Sequence, residues 1–222
     1  MAVNPRGRSD TRSRILAAAG RLFRHRGYAG TGIKAILTES AAPYGSLYHY
    51  FPGGKEQLGV AMLAQGGEMY RELVASCFDN DHDVVVCTRE FFAGAVSLLE
   101  ETDFEDACPI ATIALEVANT SEALRVAAAA AFESWISVLD DRFRREGLDP
   151  ESSRRLGVEM FCALEGAFVL ARTIRSAVPV DTMGACMADA VARAVAGPGR
   201  TPVGSDPAAI GAERDEHRID RK

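Results

Sequence analysis

The chain has 222 residues, 47% of them apolar, and a formal net charge of −6, so it holds enough apolar material for one large core or two smaller ones. No run of about 18 apolar residues is present to span a membrane, and the start, MAVNPRGRSDTRSR, lacks the apolar core of a signal peptide. Five scattered cysteines (Cys77, Cys87, Cys108, Cys162, Cys186), only four histidines and no Cys-x-x-Cys or His-Glu-x-x-His pattern point to a reduced, cytoplasmic protein with no metal site and no cofactor.

Residues 1–8 are expected to form a disordered basic N-terminus. The first predicted helix runs from about Ser9 to Arg26 and buries Ile15, Ala18, Ala19, Leu22 and Phe23; Ser9 or Asp10 suits its N-cap and Gly27 its C-terminal stop. A second, about Gly32 to Glu39, sets Ile33, Ile36 and Leu37 on one inward stripe. Ala41, Ala42 and Pro43 interrupt it, and Pro43 disfavours helical geometry at Ala42. The third helix, Tyr44 to Tyr50, is closed by Phe51, Pro52, Gly53 and Gly54. At about 100° per residue, Leu47, Tyr50 and Phe51 share one face, which reads as core. Gly45, Tyr48 and His49 share most of the other, an exposed face able to donate and accept hydrogen bonds. Gly45 removes a side chain where backbone must approach a partner closely.

This stretch, TGIKAILTESAAPYGSLYHYFPGGKEQL over residues 31–58, resembles the helix-turn-helix of the TetR family of bacterial transcription regulators. The match lies in GSLYHYF, preceded by a short helix and followed by KEQL. The resemblance implies that Tyr44, Gly45, Ser46, Tyr48 and His49 meet DNA bases or phosphates. It implies a phosphate contact for Lys55, and for Thr31 either a phosphate contact or only a helix cap. Many relatives carry Lys or Arg where this chain has Tyr44, so a cationic contact is lost there and the ring is left to meet a thymine methyl or to stack. The charge distribution agrees with the resemblance. Residues 1–60 hold nine basic side chains against three acidic ones, net +6, which leaves −12 on the remainder of the chain. Phosphate neutralisation needs such a local excess.

Helices continue to the end of the readable pattern. One runs from Lys55 to about Phe78, with Leu58, Ala61, Met62 and Gln65 on one side, and another from about Asp83 to Glu101. The segment 101–109 breaks periodicity, and Pro109 suits a first helical position. A short helix follows over Ile110 to Asn119, then a longer one capped by Ser121 and reaching about Glu146, with Leu124, Ala128, Trp135 and Leu139 on its apolar side. Asp149-Pro150 opens a helix to about Arg175; Val178-Pro179 are read as its terminators and Asp181 as the cap of the last helix, which ends near Gly197. Residues 198–222 lack periodicity and are expected to be a disordered tail. The fold class is all-α.

The resemblance supplies the organisation: a three-helix DNA-binding domain over 9–54, then a larger helical domain over 55–197 that binds a small effector and dimerises. PGGKEQL, CPIATIALEVAN and LEGAFVLAR further resemble a subgroup of drug-responsive repressors similar to LmrA and YxaF. The helix after Pro150 is apolar nearly all round (Leu156, Met160, Phe161, Leu164, Phe168, Val169, Leu170), as expected when one side faces a pocket and the other a partner. Met183, Met187, Ala190, Val191 and Ala194 of the last helix are expected to complete that dimer interface. Phe91, Phe104, Cys108, Glu116, Trp135, Phe161, Glu165 and Phe168 are the candidates for an effector pocket suited to a planar, largely apolar ligand. Core packing is the competing role for each ring. Glu116 and Glu165 either pair with arginine or orient a ligand hydroxyl or amine. Acids around Cys108 (Asp103, Glu105, Asp106) would raise its pKa, which argues against a redox switch.

The expected partners are a double-stranded DNA operator, a second copy of the chain and a small effector. No nucleophile, metal motif or phosphate loop supports an enzyme. The alternative, a helical protein-interaction module without specific DNA binding, leaves both GSLYHYF and the charge split without a role.

Overall fold

Apolar residues at helical spacing, cut by Gly and Pro, give nine α-helices and no strand among the residues described, 5–106 and 108–197, in a computed structural model. The segments 1–4 and 198–222, both expected to be disordered, lie outside them. In order the helices are α1 (Pro5–Arg26), α2 (Ile33–Glu39), α3 (Tyr44–Tyr50), α4 (Gly54–Phe78), α5 (Val84–Glu101), α6 (Pro109–Val117), α7 (Glu122–Arg145), α8 (Pro150–Ile174) and α9 (Val178–Ala196).

Two boundaries depart from expectation, both at prolines. Residues 5–8 form the first turn of α1 instead of a disordered arm, because Pro5 brings the right φ and lacks only an N–H that a first turn leaves unused. For the same reason Val178-Pro179 opens α9 instead of merely ending α8; α8 stops at Arg175, which is left-handed with φ 52°. With these earlier starts Ser9, Asp10 and Asp181, expected as caps, lie inside α1 and α9. Ser121 and Asp149 open their helices as expected, and Asp83, expected as the first residue of its helix, is its cap. Asp83 accepts from Val85 N and Val86 N, Ser121 from Leu124 N, and Asp149 from Glu151 N and Ser152 N.

Helices α1–α3 pack around Ile15, Ala18, Ala19, Phe23, Ile36, Leu47 and Phe51, all within 1% of full burial. Each large apolar member contributes about 1.5–3 kcal/mol on leaving water. Leu58 and Met62 of α4 join this cluster to the rest of the core. At 25 residues, α4 spans about 37 Å and runs from α3 to the far end of the molecule, packing along α7. That contact is close. A Cβ on Gly67 would lie 2.7 Å from Ala131 Cβ, and Trp135 Nε1 donates to Gly67 O at 2.8 Å. The glycine costs about 1 kcal/mol of helix propensity against Ala, and the gain is backbone-level contact between α4 and α7. Helices α5, α8 and α9 close the other side.

Candidate nucleic-acid interface and effector cavity

The turn between α2 and α3 is held by a left-handed Ala41, φ 49°, whose preceding carbonyl, Ser40 O, accepts from Arg14 Nη1 at 2.9 Å. Behind it, Leu47 is fully buried and anchors α3. The opposite face is open: Tyr44 is 70% and Tyr48 47% exposed, Gly45 and His49 are exposed, and Ser46 is half-buried. The Tyr44 and Tyr48 ring centroids lie 6.5 Å apart, and those of His49 and Tyr50 lie 4.9 Å apart in an edge-on arrangement. This is a short helix presenting hydroxyls, an imidazole and a bare backbone to solvent.

Thr31 does not belong to that surface. It is fully buried, and its hydroxyl donates to Gly27 O at 2.7 Å. Nor does it cap α2, whose N-cap is Gly32. The hydroxyl is spent because the left-handed Gly27 (φ 72°) that ends α1 turns its carbonyl inward. Lys55 is half-buried, its ammonium 4.2 Å above the Tyr28 ring; burial lowers its pKa and Glu116 opposes that shift. The basic excess is also smaller at the surface than in the sequence. Arg14, Arg21 and Arg24 are paired with Asp10, Glu39 and Asp106.

Helix α6 is tied to the end of α1 at both of its own ends. Before its start, Asp106 accepts from Arg24 Nη1 at 3.1 Å and lies 3.5 Å from His25 Nε2. Near its end, Glu116 accepts from Tyr28 N at 3.1 Å and Ala29 N at 2.6 Å. Glu116 therefore caps the α1–α2 loop and does not line the effector-sized cavity described next. A Cβ on Gly27 would collide with its Oε1. A third tie joins Ser121 Oγ to Glu56 Oε1 at 2.6 Å.

Between α1, α4, α5, α7 and α8 lies a cavity of about 380 Å³, near the lower end of the ~300–1,000 Å³ usual for small-molecule sites. Phe91, Trp135, Phe161, Phe168, Cys108 and Glu165 line it, as the sequence suggested. Phe104 does not. It sits in a left-handed pair with Asp103 (φ 48° and 60°), its carbonyl held by Arg172 Nε at 3.3 Å, and its ring packs half-buried against the core. Sequence reasoning missed Tyr70, Arg24 and Asp106, which form the polar end with Cys108 and Glu165. A tyrosine on the inner face of α4 was the available signal for the first. Nothing local marks Arg24, which reaches the cavity from the DNA-binding domain.

Burial sets the chemistry of this polar end. It pushes Glu165 above the usual carboxylate range, against a hydrogen bond from Cys108. It pushes the Cys108 thiol well up, with Glu165 adding to the effect, so the acid responsible is Glu165 and not the sequence neighbours. Tyr70 rises too, first by burial and then through Cys108. Cys108 is thus a protonated thiol that also caps α6, accepting from Ala111 N at 3.4 Å.

The dimer-facing assignments on α9 need revising. Met187 and Val191 are buried, and Met183, Ala190 and Ala194 pack against the protomer's own core. On α8, Leu156, Met160, Phe161 and Leu164 point inward, whereas Val169, Leu170 and Ile174 are more than half exposed. Among the described residues no helix is long and apolar enough to cross a membrane.

Comparison with known proteins agrees with this architecture. Residues 15–62 match the family model for bacterial regulatory proteins of the tetR family, and residues 85–186 match that for the C-terminal domain of LmrA/YxaF-like transcriptional regulators. The HTH-type transcriptional regulator LmrA of Bacillus subtilis is 33% identical over 184 residues, covering 83% of this chain and 98% of its own. The HTH-type transcriptional repressor NemR of Escherichia coli is 30% identical over 129 residues, 56% of this chain and 63% of its own. A TetR transcriptional regulator from Chloroflexus aurantiacus superposes with a TM-score of 0.72 at 27% identity, over 85% of this chain and 97% of that one. The chain belongs to the TetR family of bacterial DNA-binding transcription regulators, with an LmrA/YxaF-like C-terminal domain.

Proposed function

We propose that the protein is a ligand-responsive repressor that binds its operator as a homodimer and is released by a small, largely apolar effector held in the α4–α8 cavity. The observation that carries the reading is Arg24. It belongs to the DNA-binding domain, lines the cavity and pairs with Asp106 at 3.1 Å, so anything that displaces the polar end of the cavity pulls on α1. With Glu116 holding the next loop, α6 is the link alongside α4. The start of α4 at Gly54 supports a division into a DNA-binding domain up to 54 and an effector and dimerisation domain from 55. NemR, named a repressor, supports the sign of the response.

Tyr44, Gly45, Ser46, Tyr48 and His49 are the base- and phosphate-facing positions in this reading, and Lys55 is a phosphate contact steadied by Tyr28. A dimer is favoured because two reading heads must reach half-sites about one helical turn apart. The exposed Val158, Cys162, Val169 and Leu170 of α8 offer the apolar stripe for it. By linkage, an effector weakens DNA binding only as much as DNA weakens effector binding. The test is a gel-shift titration against the DNA upstream of the protein's own gene, at two salt concentrations, with random DNA as competitor. A specific, salt-sensitive shift that a bound effector abolishes is the expected result. An effector that binds and leaves operator affinity unchanged would sink the release mechanism.

A further inference from the structure

Two side chains at the cavity's open side are unlike its interior. Glu90 and Glu101 of α5 are both exposed and both line it. Eleven residues apart, they fall on one face of the helix, with Gly94 and Ser97 between them. A Cβ on Gly94 would meet nothing within 4 Å, so the space between the two carboxylates is open. Leu73 and Leu98, 51% and 41% exposed, flank this mouth from α4 and α5.

Further in, the walls are aromatic. Tyr70 and Trp135 have ring centroids 5.7 Å apart, Trp135 and Phe161 5.6 Å, and Phe91 and Phe161 6.4 Å. The tilted and edge-on arrangement leaves ring faces turned to more than one side, and ring faces carry the negative part of the aromatic quadrupole. At the inner end Glu165 has no cationic partner among the described residues; its neighbour is the Cys108 thiol. The single basic side chain in the lining, Arg24, is already paired with Asp106. The lining therefore carries four carboxylates (Glu90, Glu101, Asp106, Glu165) against one guanidinium.

Resting on the reading of this cavity as the effector site, we infer that it is built for an aromatic amine, an apolar ring body with one ammonium group that passes the Glu90–Glu101 mouth and pairs with Glu165. A flat ring body lies against the wall formed by Trp135, Phe161 and Phe91. The ammonium gains from the carboxylate and from the neighbouring ring faces together, the combination by which proteins hold organic cations. It also supplies the counter-charge that Glu165 lacks, so a buried acid costly to ionise alone becomes an ion pair with hydrogen bonds. A neutral molecule of the same shape gains the ring contacts only. A carboxylate meets the like charges of Glu90 and Glu101 at the mouth and finds no free counter-charge inside, Arg24 being paired with Asp106.

The chain holds one tryptophan, and it stands in the cavity wall, so its emission reports occupancy directly. The full-length protein is titrated near neutral pH with 4-biphenylmethylamine, 4-phenylphenol and 4-biphenylcarboxylate, following Trp135 emission and confirming each affinity by calorimetry. The amine is expected to bind at least about tenfold more tightly than the phenol, and the carboxylate most weakly. Glu165→Gln is expected to bring the amine-to-phenol ratio close to one. Glu90→Gln with Glu101→Gln, on the exposed rim where folding is not at risk, lowers the ratio by about twofold to threefold, as expected for partly screened charges. A phenol that binds as tightly as the amine, or a ratio that neither variant moves, overturns the proposed ligand class while leaving the cavity an effector site. Absence of saturable binding by all three probes overturns the effector-site reading itself.

Discussion

The reading surface and the cavity are built in opposite ways. Five of the six residues proposed for DNA lie within Tyr44–His49, on one two-turn helix seated by Leu47. The cavity's polar end takes Arg24 from α1, Tyr70 from α4, Asp106 and Cys108 from the α5–α6 connection, and Glu165 from α8. A surface that must present side chains outward needs only a short helix and an anchor, so local spacing describes it. A cavity is the space left between elements, and its lining depends on how distant segments meet.

Predictions that probe this contrast rank by expected size. Trp135→Ala should be the most damaging, at about 3–5 kcal/mol of unfolding free energy. The ring is 3% exposed, it touches Tyr70, Phe132 and Phe161, and its N–H holds Gly67 O. Chemical denaturation measures this, and a loss under 1 kcal/mol would mean the cavity wall carries little of the core. Gly27→Ala comes next. It forces a left-handed alanine and expels the Glu116 carboxylate, costing about 1–3 kcal/mol. Because the tie between α1 and α6 breaks, operator affinity should change as well, and a stability loss with unaltered DNA binding would separate that tie from the reading head.

Tyr48→Ala should cost about 1–3 kcal/mol on the operator with little loss on random DNA. Equal losses on both would make it a phosphate contact. Glu165→Gln should act through pH. Because burial raises the carboxyl's pKa in the folded protein, the folded state holds this proton more tightly than the unfolded chain. Stability is then greatest below the unfolded glutamate pKa and falls as pH rises from there through the folded value. The glutamine variant lacks that fall, so its melting temperature should exceed the parent's near neutrality and approach it in acid. Lys55→Ala should be mildest, shallowing the salt slope of all DNA binding by about one unit and losing about 0.5–1 kcal/mol of cation–π stability against Tyr28.

The same contrast explains what could be read from the sequence. Helix limits were legible because Gly27, Asp83, Ser121 and Asp149 are local signals; the two misplaced starts, at Pro5 and Pro179, arose from reading a proline as a break where it opened a turn. Four of the six candidates that line the cavity are apolar rings on α5, α7 and α8, which must face inward together. Glu116 and Phe104 were misplaced because their partners, the Tyr28 and Ala29 amides and Arg172, lie about 70–90 residues away. Thr31 was misread because its burial follows from the turn of the Gly27 carbonyl and not from its own position before α2.

Arg24 bears on how freely the two halves could be exchanged between regulators. A reading head grafted from a relative at the start of α4 would bring its own residue to the floor of this cavity and its own loop to Glu116. Under the proposed function, such a chimera would inherit a new operator and, at the same stroke, an altered ligand preference. Retaining position 24 together with the Gly27–Ala29 turn from the recipient is the condition for transplanting one specificity without disturbing the other.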